Sequence, residues 1–241
     1  MRIAIISDVH ANLAALEAVI ADWGTVDAVW HLGDLVGYGP DPVECVERLR
    51  SLTSVSLAGN HDWAAIGRLD PSDFNALALE AIRWTAQQLT PQVRSYLAGL
   101  PTMHIAGDFT LVHGSPRDPI REYVLSTSVA RACFAAFDSQ VCFIGHSHIP
   151  LGFRLQSDTG KVEPLPLSYA ETELGTDRQL INVGSVGQPR DGDPAARYLI
   201  LDTDRRCYQR RRVEYPIEQT QERMRRAGLP SALWLRLAYG R

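Results

Sequence analysis

Five short apolar runs in this chain each lead into side chains that can bind a metal ion. Ile3 to Ile6 precedes Asp8 and His10, and Ala28 to Leu32 precedes Asp34. Val55 to Leu57 precedes Asn60, Phe109 to Val112 precedes His113, and Val141 to Ile144 precedes His146 and His148. Runs of this length and composition read as strands. In an open α/β sheet, strand carboxyl ends gather along one edge, and ligands bind there. Residues far apart in sequence therefore meet in space. Three oxygen donors and four imidazoles suit Mn, Fe or Zn better than Mg or Ca.

The segments between these runs alternate with them. Asn12 to Trp23 places Leu13, Leu16, Val19 and Ile20 on one helical face. Asp41-Pro42-Val43-Glu44 carries a helix start, with Asp as N-cap, Pro in the first turn and Glu at the capping-box position. That helix is expected to run to about Leu52. The βαβαβ order through Val55–Leu57 predicts a mostly parallel sheet with right-handed crossovers. Helices are expected from Phe74 to Leu89, from Thr90-Pro91 to Gly99, and from Ser126 to Phe137. Met103–Ile105 and Phe109–Val112 read as a hairpin through Gly107-Asp108.

The second half changes character. Phe153–Gln156, Lys161–Leu167, Leu180–Val183, Tyr198–Leu201 and Cys207–Val213 are short strands, expected to form a second, mainly antiparallel sheet. Pro216–Gly228 and Ser231–Tyr239 close the chain as helices. No linker-like tract or internal repeat separates the halves. Residues 1–241 are therefore expected to form a single α/β domain whose two sheets share a core.

Composition narrows the partners. A net charge of -4 leaves no polyelectrolyte footprint, so nucleic acid is not an expected partner. No apolar run approaches the length of a membrane span, and no signal-peptide pattern follows Met1. Cys45, Cys133, Cys142 and Cys207 form no C-x-x-C pair, which fits reduced, buried thiols in a cytoplasmic protein. The run Arg205-Arg206 and Arg210-Arg211-Arg212 either binds phosphates or charges a strand edge against pairing. Leu233, Trp234 and Leu237 form a stripe for core packing or for an oligomer contact.

The seven ligands imply a specific chemistry. A two-metal site needs a shared carboxylate to hold its ions ~3.5–4 Å apart. Asp34 is the natural bridge, because Gly33 lets the backbone turn tightly before it. Asp8 and His10, two residues apart, can face one ion where the chain leaves the strand. Asn60 adds a neutral oxygen, and His113, His146 and His148 add nitrogens that must be neutral to bind. A water between the ions ionises near neutral pH, against ~15.7 in bulk, and the resulting metal-bridging hydroxide can attack a phosphate ester in line. His61 follows Asn60 and reaches the site's edge, placed to protonate the leaving alkoxide. Asp62 is expected to hold that imidazole in its donor tautomer and to raise its pKa.

Taken together, Asp8-Val9-His10, Gly33-Asp34, Gly59-Asn60-His61-Asp62, His113 and Gly145-His146-Ser147-His148 resemble the calcineurin-like metallophosphoesterase superfamily. Its pattern is D-x-H, G-D, G-N-H-D/E, a lone His and G-H-x-H, in the same order. The resemblance implies a four-layer αββα sandwich of two mixed sheets flanked by helices. It implies one ion on Asp8, His10, Asp34 and His148, and a second on Asp34, Asn60, His113 and His146. The pair would be divalent transition metals, with Mn favoured over Fe or Zn. His61 takes the place of the family's acid or charge stabiliser, supported by Asp62.

One departure is informative. Protein phosphatases and symmetrical diadenosine tetraphosphatases of the superfamily continue the second block as G-D-x-V-D-R-G, whose Arg grips the phosphoryl oxygens. Here Gly33-Asp34-Leu35-Val36-Gly37-Tyr38-Gly39-Pro40 has no Arg at that place. This segment, with Asn182 to Arg190, is similar to the small bacterial and archaeal phosphodiesterase-like branch. Arg117 and Arg190 are either replacement phosphate clamps or solvated loop charges. Tyr38 either stacks a base or aryl leaving group or packs on its own loop. The expected activity is metal-dependent hydrolysis of small phosphodiesters. The alternatives are hydrolysis of phosphomonoesters or dinucleoside polyphosphates and, in another class, a metal-binding scaffold for protein contacts.

Overall fold

Alternation along the strands decides the layering. In strand β1 (Arg2–Ile6), Ile3 and Ile5 join one buried cluster while Ala4 and Ile6 join another. Successive side chains of a strand point to opposite faces, so this strand is covered on both sides. The computed structural model describes residues 1–241.

The remaining strands are β2 (Ala28–His31), β3 (Val55–Ser56), β4 (Met103–Ala106), β5 (Phe109–Val112), β6 (Val141–Ile144), β7 (Leu151–Leu155), β8 (Val162–Pro164), β9 (Thr172–Glu173), β10 (Arg178–Asn182), β11 (Ala196–Asp202) and β12 (Cys207–Val213). They form two six-stranded sheets, ordered β3-β2-β1-β11-β12-β9 and β4-β5-β6-β10-β7-β8. The helices are α1 (Leu13–Asp22), α2 (Pro42–Arg50), α3 (Asn60–Ala65), α4 (Ala76–Gln88), α5 (Pro91–Ala98), α6 (Thr127–Phe134), α7 (Ile217–Arg226) and α8 (Ser231–Leu235).

Between the sheets lie Ile3, Ile5, Trp30 and Leu199 from the first and Leu111, Phe143 and Ile181 from the second. On the outer face of the first sheet, Ala4, Ile6, Val29 and Tyr198 pack with Leu16, Val46 and Leu97 of α1, α2 and α5. On the outer face of the second, Cys142, Ile144 and Leu180 meet Ala130, Cys133 and Phe134 of α6. The result is the four-layer αββα sandwich of two mixed sheets. All four cysteines are buried and unpaired. No helix is long and apolar enough to cross a membrane.

The expected division of strands between the sheets needs correction. The second-half strands do not form a sheet of their own. β11 inserts antiparallel beside β1, with Ile3 opposite Leu201, and brings β12 with it. β10 lies parallel to β6, with Ile181 opposite Phe143, and antiparallel to β7. Each sheet thus joins early and late strands. An apolar strand signals burial but carries no address for its partner, so the pattern alone could not divide them.

Helix starts mostly follow local chemistry. Asn12 accepts the N–H of Ala15 at 3.2 Å, and Asn75 that of Ala78 at 2.9 Å. Thr90 and Ser126 cap α5 and α6 in the same way. Asp41, expected as an N-cap, makes no cap bond in α2. It accepts the N–H of Leu13 at 3.3 Å and pairs with Arg223, tying α1 to α7.

The arginine run is absorbed by ion pairs. Arg211 pairs with Asp22 at 3.0 Å, Arg212 with Asp193 at 2.7 Å, and Arg206 with Asp108 at 3.3 Å. Arg210 is buried and donates to the carbonyls of Asn182 and Leu151. β12 also pairs on both sides, through Tyr208 with β9, so these residues guard no fully open edge. Leu233 and Leu237 are core residues, packed with Tyr38 and Met224.

Candidate metal centre

The carboxyl ends of β1, β2 and β3 from one sheet and of β5 and β6 from the other open onto a common edge. There the chain turns sharply. Of eight non-glycine residues with positive φ, seven lie here: Asp8, His10, Ala11, Asp34, Tyr38, His146 and His148. Such conformations cost on the order of 1–3 kcal/mol each and persist only where surroundings enforce them. Gly33, at φ 108, precedes Asp34, and a Cβ there would lie 2.8 Å from His113 Nδ1. The tight strand-end turn is therefore closed to larger residues.

Asp8, His10, Asp34, Asn60, His113, His146 and His148 are all buried at this edge. Their ligand atoms fall into overlapping groups: Asp8 with His10 and His148, and Asp34 with His113 and His146. Asp34 also groups with His10 and His61. His148 Nε2 lies 3.3 Å from Asp8 Oδ1 and 3.0 Å from His10 Nε2. Asp34 Oδ2 stands between the groups, 3.6 Å from His10 Nε2 and 3.3 Å from His113 Nε2. Asn60 Oδ1 is 3.1 Å from His113 Nε2.

Backbone carbonyls set the imidazole tautomers. Nδ1 of His10 faces Val36 O at 3.1 Å, Nδ1 of His113 faces Leu32 O at 3.1 Å, and Nδ1 of His148 faces Gln188 O at 2.6 Å. A carbonyl can only accept, so each of these nitrogens carries a proton and turns Nε2 inward. His146 is reversed: Nε2 donates to Arg121 O at 3.1 Å, which frees Nδ1. Metal-binding histidines are oriented by such outer partners.

Two carboxylate oxygens, Asp8 Oδ1 and Asp34 Oδ2, are buried without a hydrogen-bond partner. A buried anionic oxygen left unsatisfied is costly, and a cation on these atoms removes the cost. Burial holds His10 and His148 well below the ordinary imidazole pKa and lowers His146 to about 3. All three are neutral at physiological pH, the state a metal requires. Oxygen and neutral nitrogen donors of this kind fit divalent transition metals.

His61 and Asp62 depart from expectation. Asp62 does not touch the imidazole. Its Oδ2 accepts the N–H of Asp34 and of Gly59, both at 2.9 Å, and its Oδ1 accepts that of Val36 at 3.1 Å. The cause is α3, which starts at Asn60 and turns Asp62 back toward the strand ends. His61 Nδ1 is buried and unpartnered, and burial lowers the ring to about 4 instead of raising it. Aromatic rings hold it in place, Tyr38 at 4.4 Å, His10 at 4.8 Å and Phe74 at 5.0 Å between centroids.

A cleft of about 270 Å³ opens over the centre, with Asn60, His61 and His146 on its floor. Tyr38, Phe74 and Tyr123 also line it, with Asp70, Asp73 and Arg121. Phe74, Tyr123 and Arg121 were not foreseen as site residues: Tyr123 and Arg121 lie in a segment without periodicity, and Phe74, expected inside a helix, precedes it instead, since the helix starts at Ala76. Tyr38 is buried under α8, so its ring is a wall of the cleft and not a free stacking face. Arg190 reaches Gln188 Oε1 at 2.9 Å and Tyr38 Oη at 3.4 Å, and pairs with no carboxylate. Its charge lies close enough to depress His148, His10 and His61. Arg117 is not brought to the cleft and turns instead to Glu122 at 3.6 Å. His31 is buried within β2 beside Ser56, outside the centre.

Known proteins match this architecture. The calcineurin-like phosphoesterase superfamily domain matches residues 1–206. A crystal structure of a metallophosphoesterase from Sphaerobacter thermophilus is 51% identical, with a TM-score of 0.92 over 100% of this chain and 99% of that one. An uncharacterized protein of Methanocaldococcus jannaschii is 38% identical over 99% of this chain and 98% of its own. A symmetrical bis(5'-nucleosyl)-tetraphosphatase of Pectobacterium atrosepticum is 37% identical over 37% of this chain and 38% of its own.

Proposed function

The chain belongs to the calcineurin-like phosphoesterase superfamily, and from that premise we propose that it hydrolyses small phosphodiesters with two divalent transition metals. Manganese is the favoured metal. The observation that carries this reading is the pair of orphaned oxygens, Asp8 Oδ1 and Asp34 Oδ2, each faced by inward imidazole nitrogens. Asp8, His10, Asp34 and His148 would hold one ion, and Asp34, Asn60, His113 and His146 the other. Bound there, the ions supply Lewis acidity and an ionisable water.

The chain's own residues do the rest. His61, at the cleft floor, is kept neutral by burial, so it donates a hydrogen bond that stabilises the charge on the ester oxygen as the bond to phosphorus breaks, and that oxygen takes its proton from solvent. Asp62 positions the Asp34 turn. Arg190 supplies the positive charge that the G-D-x-V-D-R-G members take from the residue missing here. The diester reading rests on that missing Arg and on a cleft wide enough for a second ester substituent. Residues 1–241 act as one unit, a reading supported by β11 pairing with β1 across most of the chain.

The test is turnover of bis(p-nitrophenyl) phosphate beside p-nitrophenyl phosphate, by metal-stripped protein with Mn added back. Faster cleavage of the diester supports the proposal. Faster cleavage of the monoester moves the assignment to a phosphatase.

A further inference from the structure

The cleft over the metal centre has an unusual wall. Tyr123 stacks on His146 with ring centroids 3.9 Å apart and planes 11° from parallel. Only one face is covered in this way, and 48% of Tyr123 remains exposed where it lines the cleft. Phe74 lines the same cleft, its ring 5.0 Å from that of His61. Aromatic surfaces therefore rise from both histidines on the floor. The adjoining rim carries Asp73, whose carboxylate is exposed and enters no ion pair or hydrogen bond, and Asp70, which caps Ser72 through its own carboxylate.

We propose that this cleft is a nucleoside subsite, with Tyr123 and Phe74 as stacking surfaces for the base and Asp73 as acceptor for sugar hydroxyls. The inference rests on the phosphodiesterase reading and narrows its substrate class. A flat ring gains from stacking on an aromatic face whatever its base identity. A glycerol-like substituent gains nothing there. A carboxylate without a partner accepts from vicinal hydroxyls, as an acidic residue does at the ribose of bound dinucleotides. Asp70 and Asp73 repel a chain of phosphates, and Arg121 is the one guanidinium lining the cleft against them. The group carried into the cleft is therefore an uncharged nucleoside, and the reacting phosphate sits on the metals.

The experiment measures binding by calorimetry on the full chain loaded with Mn, using adenosine 5'-monophosphate and glycerol 1-phosphate. Both ligands carry one phosphate. The nucleotide is expected to bind about tenfold or more tighter, and Tyr123→Ala is expected to lose about fivefold or more of that ratio. Tyr123→Phe should restore it, and Phe74→Leu should reduce it. Asp73→Ala should close the gap between adenosine monophosphate and its 2',3'-dideoxy analogue. Metal content is assayed in each variant, because Tyr123 touches His146; if Tyr123→Ala loses metal, Phe74→Leu decides. Equal affinities in the parent, or a ratio unchanged in metal-replete variants, overturn the subsite. Turnover of the methyl diesters of the two ligands separates the premises. A retained binding ratio with neither diester cleaved sinks the diesterase reading and leaves the subsite standing.

Discussion

The carboxylate of Asp62 accepts the backbone N–H of Asp34 at 2.9 Å, and so it holds the turn at the candidate metal centre instead of an imidazole. The same Oδ2 accepts Gly59 N, and Oδ1 accepts Val36 N. Asp62→Asn would set an amide N–H against one of these donors. A buried donor left unsatisfied costs about 1–3 kcal/mol. The variant should lose stability of that order in denaturant melts of metal-free protein. Metal affinity should fall about 10–100-fold, the usual effect of losing an outer-shell partner. An unchanged metal titration would show that the Asp34 turn holds without Asp62.

His61→Ala separates chemistry from metal binding. His61 lies on the floor of the cleft and outside the assigned ligand sets. The variant should keep its metals and lose about 10²–10³ in kcat, the effect of removing one hydrogen-bond donor to developing negative charge. Metal analysis beside single-turnover rates checks both halves. Loss of an ion in this variant would make His61 a ligand, a reading its grouping with His10 and Asp34 makes worth testing.

The site was legible because its chemistry sits where periodicity stops. Each apolar run named a strand, and the first polar residues beyond it were the ones the fold buries at the shared edge. Asp62 was misread because Asn60–Ala65 is too short for helical periodicity to show. As a loop residue, Asp62 would sit beside His61; as the third residue of a helix, it turns back to Gly59. Tyr123 was missed because Arg117 to Leu125 has neither strand nor helix pattern, and its place depends on contact with His146. The partition of strands was illegible for a different reason. Ile3 meets Leu201 across almost the whole chain, and nothing local in either strand encodes that pairing.

Asp34→Ala should remove both metals together. Its Oδ2 stands between His10 and His113, and its Oδ1 accepts the N–H of His61 at 2.8 Å. No other carboxylate faces both groups of ligands. Elemental analysis after loading with Mn should find the variant empty, and turnover should fall to background. One retained equivalent of Mn per chain would mean that one of the sets forms without the bridge.

Metal loading should release protons, chiefly from His113. Burial works against charge on that ring, but Asp34 at 3.3 Å outweighs it and raises His113 to about 9. In the metal-free chain the ring is therefore protonated at neutral pH, and a metal requires it neutral. His10, His148 and His146 are already neutral and release nothing. Asp8, raised by burial to about 7, contributes a second, partial release that ends above that pH. At pH 8 the chain's own groups should give up about one proton on loading, beside the one that a bound water releases on ionising, read from calorimetry in buffers of different ionisation enthalpy. Affinity should climb with pH until about 9. The sign for stability is opposite in the metal-free chain. A folded-state pKa above the ordinary 6.5 stabilises fully below that value and is lost as pH rises through about 9. Metal-free protein should therefore melt progressively earlier across that window, while loaded protein, with His113 already neutral, should not follow it. Parallel melting curves for the two forms would sink the assignment of His113 as the proton-releasing ligand.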